Sequence, residues 1–226
     1  MSINRLCCTK ANSLSLIQFT DRGLYCPAGD FYIDPWRGVR RAVITHAHSD
    51  HARWGSNAYL CHTLSKPILQ LRLGMDNTYE TIGWNEPVYL NGVAVSLHPA
   101  GHIIGSSMVK VAYKGEVWLV TGDYKLENDG LSGEWQPVSC HTLITECTFG
   151  LPIYQWQPQE TVFTEIRNWV VQNESLGKNS VLIAYSLGKA QRLLQAVAPL
   201  GLPIYVHGAI WNTHHALCEA GVTLPE

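Results

Sequence analysis

The chain has 226 residues, 46% apolar, 15% charged and 10% aromatic, a balance in which burial outweighs chain entropy and which excludes a long disordered protein. Its formal net charge of −2 gives no global attraction to nucleic acid, although a local basic groove is compatible with a near-neutral average. No apolar run reaches the ~18 residues of a spanning helix, and Met1 to Lys10 lacks a run of signal-peptide length, so a cytoplasmic protein without a membrane partner is expected.

In chain order, short strands come first. Residues 15–19, 23–26, 31–34 and 41–45 are apolar or alternating at strand length, and the last, Arg-Ala-Val-Ile-Thr, delivers His46 at its end. A further strand over 58–61 is followed by a helix over 67–73 that starts on Pro67. Strands follow over 88–90, 93–98, 107–113 and 116–121, with a hairpin turn at Lys114-Gly115, and then over 143–147. After about Gly150 the pattern changes. Helices over 160–172 and 189–197, each with one apolar face, alternate with apolar strands over 181–184 and 204–206, which predicts a parallel α/β layer. The division falls between residues 1–149 and residues 150–226. The seven cysteines, at 7, 8, 26, 61, 140, 147 and 218, form no Cys-x-x-Cys pair and are odd in number, which predicts reduced, mostly buried thiols.

Thr45-His-Ala-His-Ser-Asp-His51 follows a buried strand. Imidazoles two apart on extended backbone project to one side, and the turn after them returns Asp50 and His51 to the same volume. So many imidazoles and carboxylates this close call for a cation. His102, in Pro99-Ala-Gly-His-Ile-Ile-Gly105, and Asp123, in Val120-Thr-Gly-Asp123, also follow apolar strands and adjoin glycine. Alone each reads as a turn residue. Beside the cluster they complete the three or four ligands that each ion of a pair requires, one carboxylate bridging.

The ordered series Asp34, His46-x-His48-x-Asp50-His51, His102 and Asp123 resembles the metallo-β-lactamase superfamily over about residues 14–147. The resemblance implies an α/β fold, a four-layer αββα sandwich with metals at one edge of its two sheets. It implies that His46, His48 and His102 hold one ion and Asp50 and His51 the other, with Asp123 between them. The ions would be Zn2+, Mn2+ being the alternative. Asp34 would brace the ligand loop, or else simply start a turn before Pro35. Thr145-Glu-Cys-Thr-Phe-Gly150, Ala184-Tyr-Ser-Leu-Gly-Lys-Ala-Gln-Arg192 and Pro203-Ile-Tyr-Val-His-Gly208 resemble the start of the β-CASP insertion of nucleases in that superfamily, most narrowly the bacterial DNA ligase-associated exonucleases. Glu146 would then be a catalytic carboxylate near the scissile phosphate. The loop Ser186-Leu-Gly188-Lys189 has a reading of its own, as a phosphate cradle at a helix N-terminus, against that of an ordinary helix cap.

The implied activity is a metal-dependent nuclease, an exonuclease acting on DNA ahead of RNA, in repair, with Asp50 orienting a metal-activated hydroxide and with a DNA ligase and a helicase as functional partners. The later histidine motifs of β-CASP enzymes are not matched, and His207, His214 and His215 read as structural or surface residues. A chain that stops inside the insertion, with a weaker second ion and poor turnover, is therefore expected. The alternatives are an RNA-processing nuclease of the same superfamily, a thioester or lactone metallo-hydrolase, and a non-catalytic scaffold.

Overall fold

A computed structural model describes residues 15–225; Cys7, Cys8 and the Met1 to Lys10 segment lie outside them. Two sheets face each other. The first is ordered β1(Gln18–Thr20), β2(Gly23–Cys26), β3(Phe31–Ile33), β4(Arg41–Val43), β5(Ala58–His62) and β6(Thr78–Ile82), antiparallel as far as β3 and parallel from there. The second runs β11(Thr142–Ile144), β10(Glu116–Val120), β9(Ser107–Tyr113), β8(Val93–Pro99) and β7(Pro87–Leu90). Only its β10–β11 pair is parallel.

Strand β8 shows why the layers form. Val93, Val95 and Leu97 are buried while Ala94, Ser96 and His98 are less so, and this period of two directs one face inward. There they meet Phe31, Ile33, Val43 and Leu60 of the first sheet in a shared core. The outer face of the first sheet, at Ala42, Ile44, Tyr59 and Cys61, packs on Ile68 and Leu69 of α1(Lys66–Leu73) and on Leu217 of α4(Gly208–Glu219). The outer face of the second sheet, at Ala100, Met108 and Leu119, is covered by Trp135, Val138 and Cys140.

The region after Gly150 departs from its sequence pattern. Helices α2(Gln159–Ser175), α3(Lys189–Val197) and α4 form, but residues 181–184 and 204–206 join no ladder among the described residues. Ile183 is 93% and Tyr205 94% exposed. An apolar run marks a segment that favours burial, yet a strand exists only where a neighbour accepts its backbone hydrogen bonds, and here none does. For the same reason the apolar face of α2 is only half covered, with Trp169 exposed. Strand β6, with the polar sequence Thr-Tyr-Glu-Thr-Ile, is an edge strand that the sequence pattern did not show. Of the described cysteines, Cys26 and Cys61 are buried, Cys140 is intermediate, and Cys147 and Cys218 are exposed, so the thiols are not mostly buried; all five are unbridged. No described helix is long and apolar enough to cross a membrane.

Candidate metal centre

Four loops meet at one edge of the sandwich. Residues 44–51 leave β4, residues 100–106 link β8 to β9, residues 121–123 follow β10, and residues 145–146 follow β11. The backbone itself ties the loops together here: Ser107 N donates to Thr45 O at 2.8 Å across the two sheets, and Thr121 N to Ile144 O at 3.0 Å within the second. Gly122, at φ 53°, passes so near Thr45 that a Cβ would stand 2.5 Å from its Oγ1. Only a residue without a side chain lets Asp123 approach.

His46 Nε2 lies 3.0 Å from His48 Nδ1, which lies 3.2 Å from His102 Nε2. Asp123 Oδ2 is 3.7 Å from His46 Nε2 and 3.4 Å from His102 Nε2. Second-neighbour bonds fix the tautomers. The Thr45 hydroxyl gives its one hydrogen to Asp34 Oδ2 at 2.6 Å, so towards His46 Nδ1, 3.1 Å away, it can only accept. Nδ1 of His46 then carries the proton and Nε2 is bare. His48 Nε2 faces the Leu187 carbonyl at 3.3 Å and must donate, which leaves Nδ1 bare as well. Two lone pairs thus oppose each other at 3.0 Å, an arrangement that a cation between them turns from repulsive to favourable. The edge of a tetrahedral zinc site with ~2.0–2.1 Å bonds is about 3.3 Å, close to all four separations. His46, His48, His102 and Asp123 fit such an ion.

A second group shares Asp123. His51 Nδ1 donates to Asp34 Oδ2 at 2.8 Å, and its Nε2 faces Asp123 Oδ1 at 3.6 Å, Glu146 Oε2 at 3.7 Å and Asp50 Oδ2 at 3.8 Å. Asp123 Oδ1 is buried and accepts no hydrogen bond, an orphaned acceptor that a second cation would satisfy. The structure brings Glu146 into this group with His51 and Asp123, a position the sequence reading did not give it. Asp50 sits at the rim with its side chain 70% exposed.

Protonation follows the same geometry. Burial first, then the neighbouring imidazoles, holds His46 well below the usual histidine range and takes His102 down to about 4. Both are neutral and ready to coordinate near neutral pH. Burial also opposes a charge on His51, but the Asp34 hydrogen bond and the Asp34, Asp123 and Asp50 charges outweigh it and raise His51 to about 9. Its proton occupies the side where a cation would sit.

Asp34 accepts from Thr45 N at 2.8 Å, from the Thr45 hydroxyl and from His51, touching both groups through their neighbours. The 186–189 loop reaches the centre through Leu187, whose carbonyl meets His48 and whose side chain packs with Ile103 and Ile104. Gly188 N already donates to Gln191 Oε1 at 2.8 Å, and Lys189 Nζ lies 5.5 Å over the Tyr185 ring. The loop therefore has fewer free donors for a phosphate than its sequence implied, because Gln191 folds back on it. His207 Nδ1 accepts from Ala209 N, and His215 pairs with Glu219.

No protein-family model matches the sequence. The chain is 29% identical over 206 residues to a probable DNA ligase of Opitutus terrae, covering 90% of this chain and 20% of that protein. It is 28% identical over 178 residues to cleavage and polyadenylation specificity factor 73 of Drosophila melanogaster, covering 75% and 26%. It is also 28% identical over 200 residues to RNase aCSPSF2 of Saccharolobus solfataricus, covering 75% and 40%. It thus spans less than half the length of each. With two facing sheets, helices on the outer face of the first and the histidine and aspartate motifs at one edge, the chain has an α/β metallo-β-lactamase-like fold, and its similarity to these nucleases is consistent with the β-CASP branch of that superfamily.

Proposed function

We propose that the protein is a metal-dependent phosphodiesterase that hydrolyses nucleic acid at a dinuclear zinc centre, Mn2+ being the alternative. The carrying observation is the pair of bare nitrogens of His46 and His48, 3.0 Å apart, beside His102 and Asp123. Two bound ions would lower the pKa of a water toward neutrality and offset charge on the phosphoryl oxygens. His46, His48 and His102 would hold the first and His51 and Glu146, with Asp50 at the rim, the second; Asp123 belongs to both groups. Asp50, the most exposed of these carboxylates, would accept a hydrogen bond from the attacking water and so aim it at phosphorus. Asp34 holds the proton on His51 Nδ1, so that an ion displacing the other proton would find Nε2 bare. Residues 1–149 carry this centre, and residues 150–226 belong to a β-CASP domain whose Ser186, Gly188 and Lys189 loop meets it through Leu187.

The similarity to a probable DNA ligase over 206 residues supports DNA as substrate and a repair role; a ligase and a helicase are the functional partners of this reading. Relatives named as RNA-processing factors support RNA as the second reading. The test is hydrolysis of end-labelled single-stranded DNA, duplex DNA and single-stranded RNA by the zinc-loaded protein, with Asp123→Asn as control. Shortening of DNA from one end, abolished by that substitution, supports the reading; release of internal RNA fragments favours the second. Absence of any phosphodiester cleavage by the zinc-loaded protein refutes both.

A further inference from the structure

Beside the ligand loop lies a groove of ≈ 640 Å³ whose walls include Trp36, Arg37, Arg53, Trp54 and Arg72. Its size is within the ~300–1,000 Å³ typical of ligand clefts. Two features set it apart from ordinary surface. Trp36 is 51% and Trp54 79% exposed, an arrangement that leaves large apolar rings in water. Its lining contains three arginines and no acidic residue, although the chain as a whole carries a net charge of −2. Asp21 meets Arg37 only at 3.9 Å, with both side chains more than 70% exposed, a pair that salt and solvent weaken.

The walls are built rather than loose. Gly38 passes so close to Gly55 that a Cβ on it would lie 2.3 Å from the Gly55 carbonyl oxygen. Asn57 N donates to Val39 O at 2.9 Å, Val39 N to Ser56 Oγ at 3.3 Å, and the Tyr59 hydroxyl to Arg53 O at 3.0 Å. The segments that carry the two tryptophans are thereby pinned to each other. Arg72 reaches from α1 to the carbonyl of Ala47, between the first two candidate ligands. A second cleft, of ≈ 420 Å³, runs from His48 past Leu187 to Asn212. Both clefts are lined by Ser49 and Arg72, so they adjoin beneath the ligand loop, one residue from His48 and from Asp50.

Rings that can stack on bases, interleaved with cations that can meet phosphates, are the chemistry of single-strand recognition. A duplex keeps its bases stacked on one another and cannot offer their faces to Trp36 and Trp54. We infer that this groove binds the single-stranded nucleic acid flanking the scissile phosphate, Trp36 and Trp54 stacking on unpaired bases and Arg37, Arg53 and Arg72 meeting the backbone. The inference rests on the phosphodiesterase reading and extends it to a binding surface that none of the candidate metal ligands forms.

The experiment measures binding of fluorescein-labelled oligothymidylate and of a labelled duplex to the protein with metal removed by chelator, across a salt series, so that cleavage does not intervene. Trp36→Ala and Trp54→Ala should each weaken oligothymidylate binding roughly 5- to 100-fold, Trp54→Phe should keep part of the affinity, and duplex binding should change little. Arg53→Ala should reduce the slope of log affinity against log salt by about 1. Tryptophan variants that bind oligothymidylate as tightly as the unsubstituted protein, or lose duplex binding equally, would overturn the inference. Hydrolysis of bis(4-nitrophenyl) phosphate by the unsubstituted zinc-loaded protein, a substrate too small to need the groove, tests the underlying reading separately.

Discussion

Asp34 sits at φ 44°, in the left-handed region that side chains avoid. Its carboxylate collects the Thr45 amide, the Thr45 hydroxyl and His51, which offset the conformational cost. Asp34→Ala removes the acceptor that fixes the His51 tautomer and frees the Thr45 hydroxyl. Zinc titration should show the second ion bound about 10- to 100-fold more weakly, with the first less affected; equal affinity for both ions in the variant would contradict this role. A different residue governs acid stability away from the ligands. His62 is 5% exposed, stacks on Trp84 with ring centres 4.1 Å apart, and accepts from Leu64 N through Nδ1. Burial, against the weaker pull of Glu86, lowers it to about 4 from an ordinary 6.5. Between those values the unfolded chain binds more protons than the folded one, so this contribution is present above about pH 6.5 and is lost as pH falls towards 4. Urea unfolding at pH 7.5 and pH 5 should show a smaller loss for His62→Asn, which keeps a capping acceptor, than for the unsubstituted protein. Identical losses would remove His62 from the account.

Among the elements, the junction between β4 and the end of β10 carries the most consequence. Gly122→Ala forces a Cβ against Thr45 and a side chain into positive φ, which should cost about 1–3 kcal/mol and move Asp123 away from both groups. Thermal unfolding and zinc stoichiometry should fall together; a variant with full stoichiometry and unchanged Tm would show that the approach is not needed. Elements of this kind were partly legible in the sequence. The alternation of Val93, Val95 and Leu97 announced β8, and the cluster from His46 to His51 was readable because spacing along one loop fixes which side chains converge. Strand β6 was hidden, since Thr78, Glu80 and Thr81 are an edge strand's residues and carry no apolar period. Residues 181–184 misled in the other direction: Val-Leu-Ile-Ala records a preference for burial but not the identity of a partner. The entry of Glu146 into the second group depends on β11 lying parallel to β10, a pairing that no local pattern encodes. Trp36 and Trp54 share a groove because Gly38 touches Gly55, which is equally invisible along the chain.

Across the whole molecule, apolar surface is unevenly hidden. The sandwich core is closed, whereas Val181, Ile183, Tyr185 and Tyr205 are each at least 76% exposed. Unpaired apolar backbone of this sort templates association between copies. Light scattering of the purified 226-residue chain should therefore show concentration-dependent association that Ile183→Lys reduces, while association untouched by that substitution would place the contact elsewhere. The centre itself is the claim on which the rest depends. The direct measurement is anomalous diffraction at the zinc absorption edge from crystals of the zinc-treated protein. The account predicts two peaks about 3.5–4 Å apart, one among His46, His48, His102 and Asp123 and one beside His51, Asp123 and Glu146. Ordered side chains at both groups with no peak at either would contradict it.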